Sequence, residues 1–410
     1  MMNMQMDRLN QETDTFPPLP ADDQAVSSDA EIGLAETVSS PSHSIFSKID
    51  WSIVWMVLSL KALVLVYGAA AYQVLTNKRI ESWYGYLEIW HRWDSMRYFR
   101  VAEHGFTNVG PDRADLTGSP LFPWIVRAFS LVFRDTLMSG FIVAGIASVA
   151  AGLLLYHLAR VDQRGSIAKN SVWFLLIFPT AHFLHINFTE SLFLALVLGT
   201  FLAARKEHWK TAGFLGFLTC MTRINGLVLV PALFIEAYLQ FRKTREWRWD
   251  WLSILVVPFG FGANLAVNKV VAGDPFAFMA INKQVYFKSL APPWNGIRGL
   301  YDAMWGSDPA NAMMSGVQEL FFVALAFVCI FACWKWLSAS YTVWMAGNWL
   351  LFTSTDFLQS EPRYVIILFP IFILFAKLAE RPFWFRLITA WSVLFLALFI
   401  GQFVRGHWAY

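Results

Sequence analysis

The chain has 410 residues, 57% of them hydrophobic and only 15% charged, with a formal net charge of +3 and three cysteines. Soluble domains carry about 25% charged residues, so this composition excludes an ordinary soluble globular protein, and the small net charge without a basic patch excludes a nucleic-acid binder. Apolar runs of roughly 16–25 residues recur along the chain, which predicts an all-α polytopic membrane protein. The short alternating segments of a β-barrel are absent.

Residues 1–45 are polar and acidic and predict a disordered cytoplasmic tail, because they lack the apolar surface that ordering requires. The remainder, 46–410, reads as one transmembrane domain. No secretory signal peptide opens the chain, so the first apolar run, Trp51–Leu75, is expected to act as an uncleaved anchor. A polar and aromatic stretch, about 77–135, follows as a long first external loop. Within it, Ser119–Phe133 is short for a span and holds two prolines, which predicts a re-entrant or interfacial helix.

Further spans are predicted near 136–158, 171–184, 190–204, 211–222, 226–240, 251–271, 317–334, 339–355, 364–378 and 383–404, for a count of about 11. A second long loop, 272–316, is more often functional than idle at that length. Cys220, Cys329 and Cys333 lie inside apolar runs and read as packing residues rather than a disulfide or metal framework. Basic residues cluster at 159–169, 205–210, 242–250, Lys335 and 377–386. By the positive-inside rule that side is cytoplasmic. Parity then puts Asp94, Glu190, Arg223, the 272–316 loop and Glu361–Arg363 on the opposite face.

The polar residues that interrupt this apolar chain are the candidates for chemistry. Asp94 stands among Trp90, Trp93, Tyr98 and Phe99, and Arg97 shares its helical face at i+3. A surface ion pair in an aromatic belt would explain these residues. So would a general base whose pKa is raised by desolvation. Glu190, after Thr189, reads either as a helix-start acid favoured by the dipole or as a group pointing into a polar cavity. Arg223 and Asn225 occupy a tight turn, where an arginine at membrane depth either snorkels or recognises a lipid phosphate. Gln284 lies in the second long loop. Glu361 and Arg363 flank Pro362 just before an apolar run and are placed to pair. His182 and His185 share a face but lack a third ligand, so a metal site is disfavoured. No Walker, dinucleotide, CxxC or HExxH motif occurs.

Taken in order, these segments resemble the GPI mannosyltransferase 2 (PIG-V) family and its bacterial relatives, multi-span glycosyltransferases of the GT-C class. The resemblance rests on Trp93-Asp94 with Tyr98 and Val101–Phe106, on Leu121–Pro123 with Arg127, and on Phe178-Pro179 with Thr189–Phe193. It continues through Thr222–Leu227, Gly273–Phe276 with Gln284, and Pro362–Tyr364 with Phe369-Pro370.

The resemblance implies a GT-C-type bundle that moves a hexose, typically mannose, from a polyprenyl-phosphate donor to a lipid-linked, glycan or protein acceptor on the extracytoplasmic or lumenal face. In that class an acidic residue of the first external loop is the base, and Asp94 matches it. Trp93, Arg97, Glu190, Arg223, Asn225, Gln284, Glu361 and Arg363 are the expected substrate contacts. No cofactor is implied beyond the lipid-linked donor, and a divalent metal is neither required nor excluded. The expected partners are donor, acceptor and membrane, with room for a small membrane subunit. The expected membrane is the inner membrane of a bacterium or the endoplasmic reticulum of a eukaryote, with the N-terminus cytoplasmic. A lipid-linked-sugar flippase would also explain many spans, but it predicts related halves, and the sequence shows no internal repeat. A non-catalytic membrane subunit is the remaining alternative.

Overall fold

The computed structural model describes residues 50–409, so the predicted tail at 1–45 lies outside the described residues. Helices follow one another as α1 (Trp51–Thr76), α2 (Gly85–Glu88), α3 (Asp94–His104), α4 (Leu121–Phe133), α5 (Thr136–Asp162), α6 (Gly165–Ile177), α7 (His182–His185), α8 (Glu190–Arg205), α9 (Trp209–Thr222) and α10 (Leu229–Thr244). They continue as α11 (Phe259–Ala272), α12 (Ala277–Val285), α13 (Pro293–Ala303), α14 (Pro309–Asn311), α15 (Glu319–Trp336), α16 (Ala339–Thr353), α17 (Glu361–Val365), α18 (Pro370–Leu378) and α19 (Pro382–Arg405). Among the described residues there is one isolated bridge, Leu290 to Thr355, and no strand. The expectation of an all-helical polytopic membrane protein is met.

Helix length and apolarity account directly for six of the eleven expected spans. Among the described residues, six helical stretches are long and apolar enough to cross a membrane: Trp51–Thr76, Thr136–Asp162, Ile224–Thr244, Trp249–Ala272, Pro309–Trp336 and Pro382–Arg405. The five other predicted spans fall on shorter helices, α6, α8, α9, α16 and the α17–α18 pair. At about 1.5 Å per residue, even the 16 residues of α8 fall short of the hydrocarbon thickness. These segments read as spans because they are apolar on every side. Protein neighbours cover α6, α8 and α18 around most of their circumference, which also demands apolar side chains there. The 3-10 turn Pro111–Thr117 meets α4 at 109°, the geometry expected of a re-entrant or interfacial segment. Asn264 and Asn268 of α11 hold that turn by donating to the carbonyls of Gly118 (3.0 Å) and Leu116 (3.2 Å).

Several inner helices are broken, and the breaks have local causes. Pro179 follows the end of α6, and the chain then makes the single turn α7 before restarting at Glu190. Arg223 is extended (φ −157°, ψ 145°) between α9 and the next 3-10 turn. α17 stops at Val365, and the chain resumes at Pro370. Freed backbone groups at such breaks must be satisfied by protein when water is scarce. Lys61, in the middle of α1, does this at one of them: its ammonium donates to the His185 carbonyl at the end of α7 (2.5 Å).

Polar side chains collect at the two ends of α8. At the Arg205 end, Arg205 pairs with Asp162 and, at 3.5 Å, with Glu236. The Ser340 hydroxyl donates to Glu236 (2.8 Å), and Lys377 donates to Gln163 (3.3 Å). Arg248 bridges Glu207 and Asp250 there as well. These are the basic loops that the sequence grouped on one side. Glu190 and the other candidates lie at the opposite end.

Packing of α9 against the Trp249–Ala272 stretch depends on glycine. A Cβ on Gly260 would sit 1.9 Å from the Phe217 carbonyl oxygen, and one on Gly213 would sit 2.4 Å from that of Ser253. Small residues let helix backbones approach this closely in membranes. Gly260→Val is therefore expected to lower the thermal-unfolding midpoint in detergent markedly, by overpacking of about 1–3 kcal/mol or more. Gly262→Val, where nothing lies within 4 Å, is the matched control, and equal midpoints for the two variants would contradict this account.

Candidate active site

Asp94 begins α3, in the first turn, where the helix dipole favours a carboxylate. Trp93 before it adopts φ 55°, ψ −124°, a strained conformation for a bulky residue that costs about 1–3 kcal/mol. The surroundings hold the kink. Trp93 packs edge-on against Trp408 (5.4 Å between centroids). Arg92 donates to the Ile89 and Val404 carbonyls, both at 2.9 Å, which ties the turn to the end of α19. The Ser95 hydroxyl donates to the Arg92 carbonyl (2.9 Å).

From Asp94 a line of alternating charge runs inward. Arg363 Nη1 donates to Asp94 Oδ2 (2.6 Å), and Arg363 Nε donates to Glu190 Oε1. The same Glu190 oxygen accepts from Arg223 Nη1 (2.5 Å), which also reaches the Thr189 hydroxyl (3.3 Å). At the outer end Arg97 Nη1 lies 3.6 Å from Asp94 Oδ1. The order is Arg97, Asp94, Arg363, Glu190, Arg223. Glu190 is fully buried and Arg363 nearly so, whereas 34% of the Asp94 side chain is exposed. Asp94 is thus the accessible end, and Oδ1 is its less engaged oxygen.

Aromatic rings fix the guanidinium groups. Arg363 lies against both Phe183 (4.9 Å) and Phe188 (4.8 Å), whose rings pack edge-on to each other. Arg223 sits over Tyr364 (5.4 Å), and the Lys288 ammonium lies over the same ring (5.9 Å). Such contacts stabilise cations in poorly hydrated sites.

Several expectations are corrected by this geometry. Desolvation does push the Asp94 carboxyl up, but the cations of Arg363 and Arg97 outweigh it and hold the group below its ordinary value. Glu361 does not pair with Arg363. It is 1% exposed, its Oε2 has no hydrogen-bond partner, and Glu319 is its main charged neighbour. Burial pushes its carboxyl up, and the nearby Glu319 adds to the effect. Arg97 is largely occupied: it donates to Asp115 (3.1 Å), the Ala114 carbonyl (2.8 Å) and the Thr117 hydroxyl (2.8 Å), and it stacks on Tyr286 (5.3 Å).

Asn225 is turned into the bundle, donating to Asn348 Oδ1 (3.0 Å). Gln284 lies outside the charged line and accepts from Arg113 (3.0 Å). Trp93, 42% exposed, forms a wall beside Asp94. Among the described residues no cluster of three or more His, Cys, Asp or Glu is arranged around a common metal position.

Sequence reasoning missed Asp115, Tyr286, Lys288 and Glu319. Asp115 is a buried acid that also receives Arg100 (2.7 and 3.0 Å), and Arg100 reaches Asp112 (2.9 Å) as well. Tyr98, packed edge-on against Phe122 and Phe188, has its phenol pushed up to about 12, first by burial and then by the Asp94 charge. It stays protonated beside the carboxylate. Two apolar grooves lie apart from this line. One, of about 400 Å³, is lined by Phe106, Trp124 and α11. The other, of about 350 Å³, lies between α4, α5, α8 and α9.

The fold and site define an all-helical, polytopic membrane protein with an acid–arginine line at one end. Residues 117–261 match the family model of dolichyl-phosphate-mannose-protein mannosyltransferase. That segment carries Glu190 and Arg223 but neither Asp94 nor Arg363. No curated protein sequence matches the chain.

Among solved structures, the chain is similar to ArnT from Cupriavidus metallidurans bound to undecaprenyl phosphate. That likeness has 12% identity and a TM-score of 0.44, over 80% of this chain and 60% of that one. It is similar to the Archaeoglobus fulgidus oligosaccharyltransferase in the apo form, with 11% identity and a TM-score of 0.42, over 88% and 57%. It is also similar to AglB from Archaeoglobus fulgidus in complex with an inhibitory peptide and a dolichol-phosphate, with 12% identity and a TM-score of 0.42, over 87% and 56%. The chain spans about three-fifths of the length of these structures.

Two measurements check the charged line. The folded Asp94 carboxyl is depressed, so its contribution to stability is complete above the ordinary aspartate value near 4 and is lost as pH falls through the folded value. The gap in unfolding midpoint between wild type and Asp94→Asn is expected to hold from neutral pH to about 4 and to close below it. A gap that ignores pH would refute the pairing. Glu190→Ala is expected to cost about 3–5 kcal/mol, because it strands the Arg223 guanidinium and removes one of the two carboxylates that hold Arg363. Asp94→Ala, at the exposed end, should cost clearly less in the same assay.

Proposed function

We propose that the protein is a GT-C-type membrane glycosyltransferase that moves a hexose, typified by mannose, from a polyprenyl-phosphate donor to a hydroxyl acceptor, inverting the anomeric carbon. The observation that carries this reading is an accessible carboxylate oxygen, Asp94 Oδ1, at the head of a buried line of arginines. The partial match to a family of lipid-phosphate-mannose-dependent transferases supports it. The PIG-V-like order of motifs points the same way. By the positive-inside rule the Arg205 end faces the cytoplasm, and Asp94 works on the extracytoplasmic or lumenal face.

In this reading the acceptor hydroxyl donates to Asp94 Oδ1 while Arg363 holds Oδ2. The hydroxyl oxygen attacks the anomeric carbon, the bond from that carbon to the phosphate oxygen breaks, and the hydroxyl proton passes to Asp94. A carboxylate held below its usual pKa is a weak base. That suffices when the transition state resembles an oxocarbenium ion, because the attacking hydroxyl becomes acidic as its bond to carbon forms. The departing lipid phosphate needs positive charge more than a proton. Arg223 spends only Nη1 on Glu190 and Thr189, which leaves donors for a phosphate. Lys288, on the same Tyr364 ring, adds a second cation. Trp93 and Tyr98 limit water, which would otherwise hydrolyse the donor.

The test is transfer of labelled mannose from polyprenyl-phosphate-mannose by the purified chain in proteoliposomes. Asp94→Asn is expected to stay folded and lose about 10²–10⁴-fold in rate. Full activity in that variant would remove Asp94 from the chemistry. Movement of the labelled lipid across the bilayer without covalent transfer, for any hexose offered, would favour a flippase instead.

A further inference from the structure

The Arg363 guanidinium bridges Asp94 and Glu190, yet α17, which carries it, is only five residues long. So short a helix has no stability of its own, and something outside it must set its position. Its first turn shows what does. Ser360, the residue before it, is left-handed (φ 73°, ψ 25°), a conformation that disfavours non-glycine residues. The Ser360 amide donates to Glu319 Oε1 (2.8 Å), and the Glu361 amide donates to Glu319 Oε2 (2.6 Å). Pro362 has no amide hydrogen, and the Arg363 amide turns back to the Ser360 carbonyl (3.0 Å). The donors at the start of α17 are thereby accounted for, and both external ones go to a single carboxylate.

That carboxylate is 1% exposed and starts α15 directly after the seven-residue π-helical stretch Ala312–Gln318. Wide turns of this kind concentrate at functional positions. This one is locked from the other side, because a Cβ on Gly316 would meet the Met304 backbone nitrogen at 2.6 Å. A buried carboxylate carries a large desolvation cost unless it is fully hydrogen-bonded. A neutral side chain would start α15 without that cost. The fork of Glu319 matches the two amides it receives, and three residues further on is the arginine that holds Asp94.

We propose that Glu319 is a positioning residue: by clamping the Ser360 and Glu361 amides it fixes α17 in the register that places Arg363 between Asp94 and Glu190. The side chain touches no substrate and acts only through Arg363. For its activity readout the proposal rests on the glycosyltransferase reading; its stability readout does not. The amide of Glu319→Gln keeps the shape but offers one acceptor oxygen, and its NH2 group opposes the second backbone amide. Arg363 then slackens from Asp94. The groups facing Asp94 are Arg97 and Tyr98 from α3, Tyr286 after α12 and Arg363 from α17, with Glu190 and Arg223 beyond it, and Glu319 itself faces Glu361 and Lys288, so a slackened Arg363 lets the Asp94 carboxyl rise.

The experiment compares wild type, Glu319→Gln and Glu319→Asp, each with and without Asp94→Asn. Unfolding midpoints in detergent are followed from neutral pH to acid, and labelled transfer is measured in proteoliposomes. In wild type the Asp94-dependent gap in midpoint closes at low pH. In Glu319→Gln it should close at a pH higher by about one unit, the scale of one lost charge-assisted contact. The rate of transfer should fall about tenfold or more while KM for the donor stays within about twofold, as expected when geometry and not binding is lost. Glu319→Asp, which keeps the charge but is one methylene shorter, should lie between the two. It serves as the second variant if Glu319→Gln does not fold.

An unmoved acid transition in a folded Glu319 variant overturns the proposal, as does a KM rise with an unchanged maximal rate. If wild type transfers no sugar, the glycosyltransferase reading fails, and the midpoint curves alone still decide for or against Glu319.

Discussion

Everything at the active end of this protein depends on Arg363 being held between two carboxylates in a place with little water. An isolated guanidinium there would carry a desolvation cost of several kcal/mol. Glu190 alone would neutralise it, yet it also reaches Asp94. Each charge in the line therefore has an opposite charge on both sides, except at the ends. An alternating row is a stable way to bury several ions together, because every desolvation cost is offset by two attractions. It also makes the row act as a unit, so that a change at Glu190, deep inside, is felt at the accessible Asp94 oxygen.

The row exists because its helices do not run through. Glu190, Arg223 and Arg363 each stand at a break, where the chain leaves regular helix and side chains can converge from different directions. The broken ends leave backbone groups inside the bundle. Two ionisable side chains of long apolar helices satisfy some of them. Lys61 of α1 binds the His185 carbonyl just before Glu190, and Glu319 of α15 binds the amides just before Arg363. A cation on a carbonyl and a carboxylate on amides are the pairings that helix ends favour. Charges within apolar helices are expected to be functional. Here both act on backbone that carries the line, a step removed from the exposed carboxylate.

Much of this was legible in the sequence. The apolar runs announced the bundle, and the turn at Arg223 marked one break, whereas Pro179 and Pro370 fell inside the predicted spans 171–184 and 364–378. Asp94, Glu190, Arg223 and Arg363 stood out as charges in apolar company. The span count was less legible, because five of the expected spans fall on short or broken helices whose apolar composition serves protein burial and lipid burial alike. Pairing was the least legible. Glu361 and Arg363 are two apart in sequence, which invites a pair, but side chains two apart on a helix point to different faces. Glu319 lay unremarked inside the predicted span 317–334, and Asp115 inside the first external loop. Their partners come from distant segments, and no local pattern encodes a distant partner. The direction of the Asp94 pKa was misread for the same reason: burial could be inferred from its aromatic neighbours, whereas Arg363, 269 positions away, could not.

The charge balance gives the arrangement a chemical direction. Arg97, Arg100, Arg223 and Arg363 face Asp94, Asp112, Asp115 and Glu190, four cations against four carboxylates. That network is neutral by itself. Lys288, beside Arg223 on the Tyr364 ring, adds a positive charge there and also acts on the buried Glu319 and Glu361. On the glycosyltransferase reading the donor is a phosphodiester with a single negative charge, and Arg223 and Lys288 are the cations at that end to receive it. Departure of the sugar leaves a phosphate monoester that tends toward a second negative charge, while Asp94 gains the acceptor proton and loses its own. The negative charge therefore moves from the Asp94 end of the line toward the Arg223 end as the reaction proceeds. Arg363, fixed between the two, feels one attraction weaken as the charge near its neighbour Arg223 grows. Rigid placement of that one side chain is what lets the line follow the charge without reorganising.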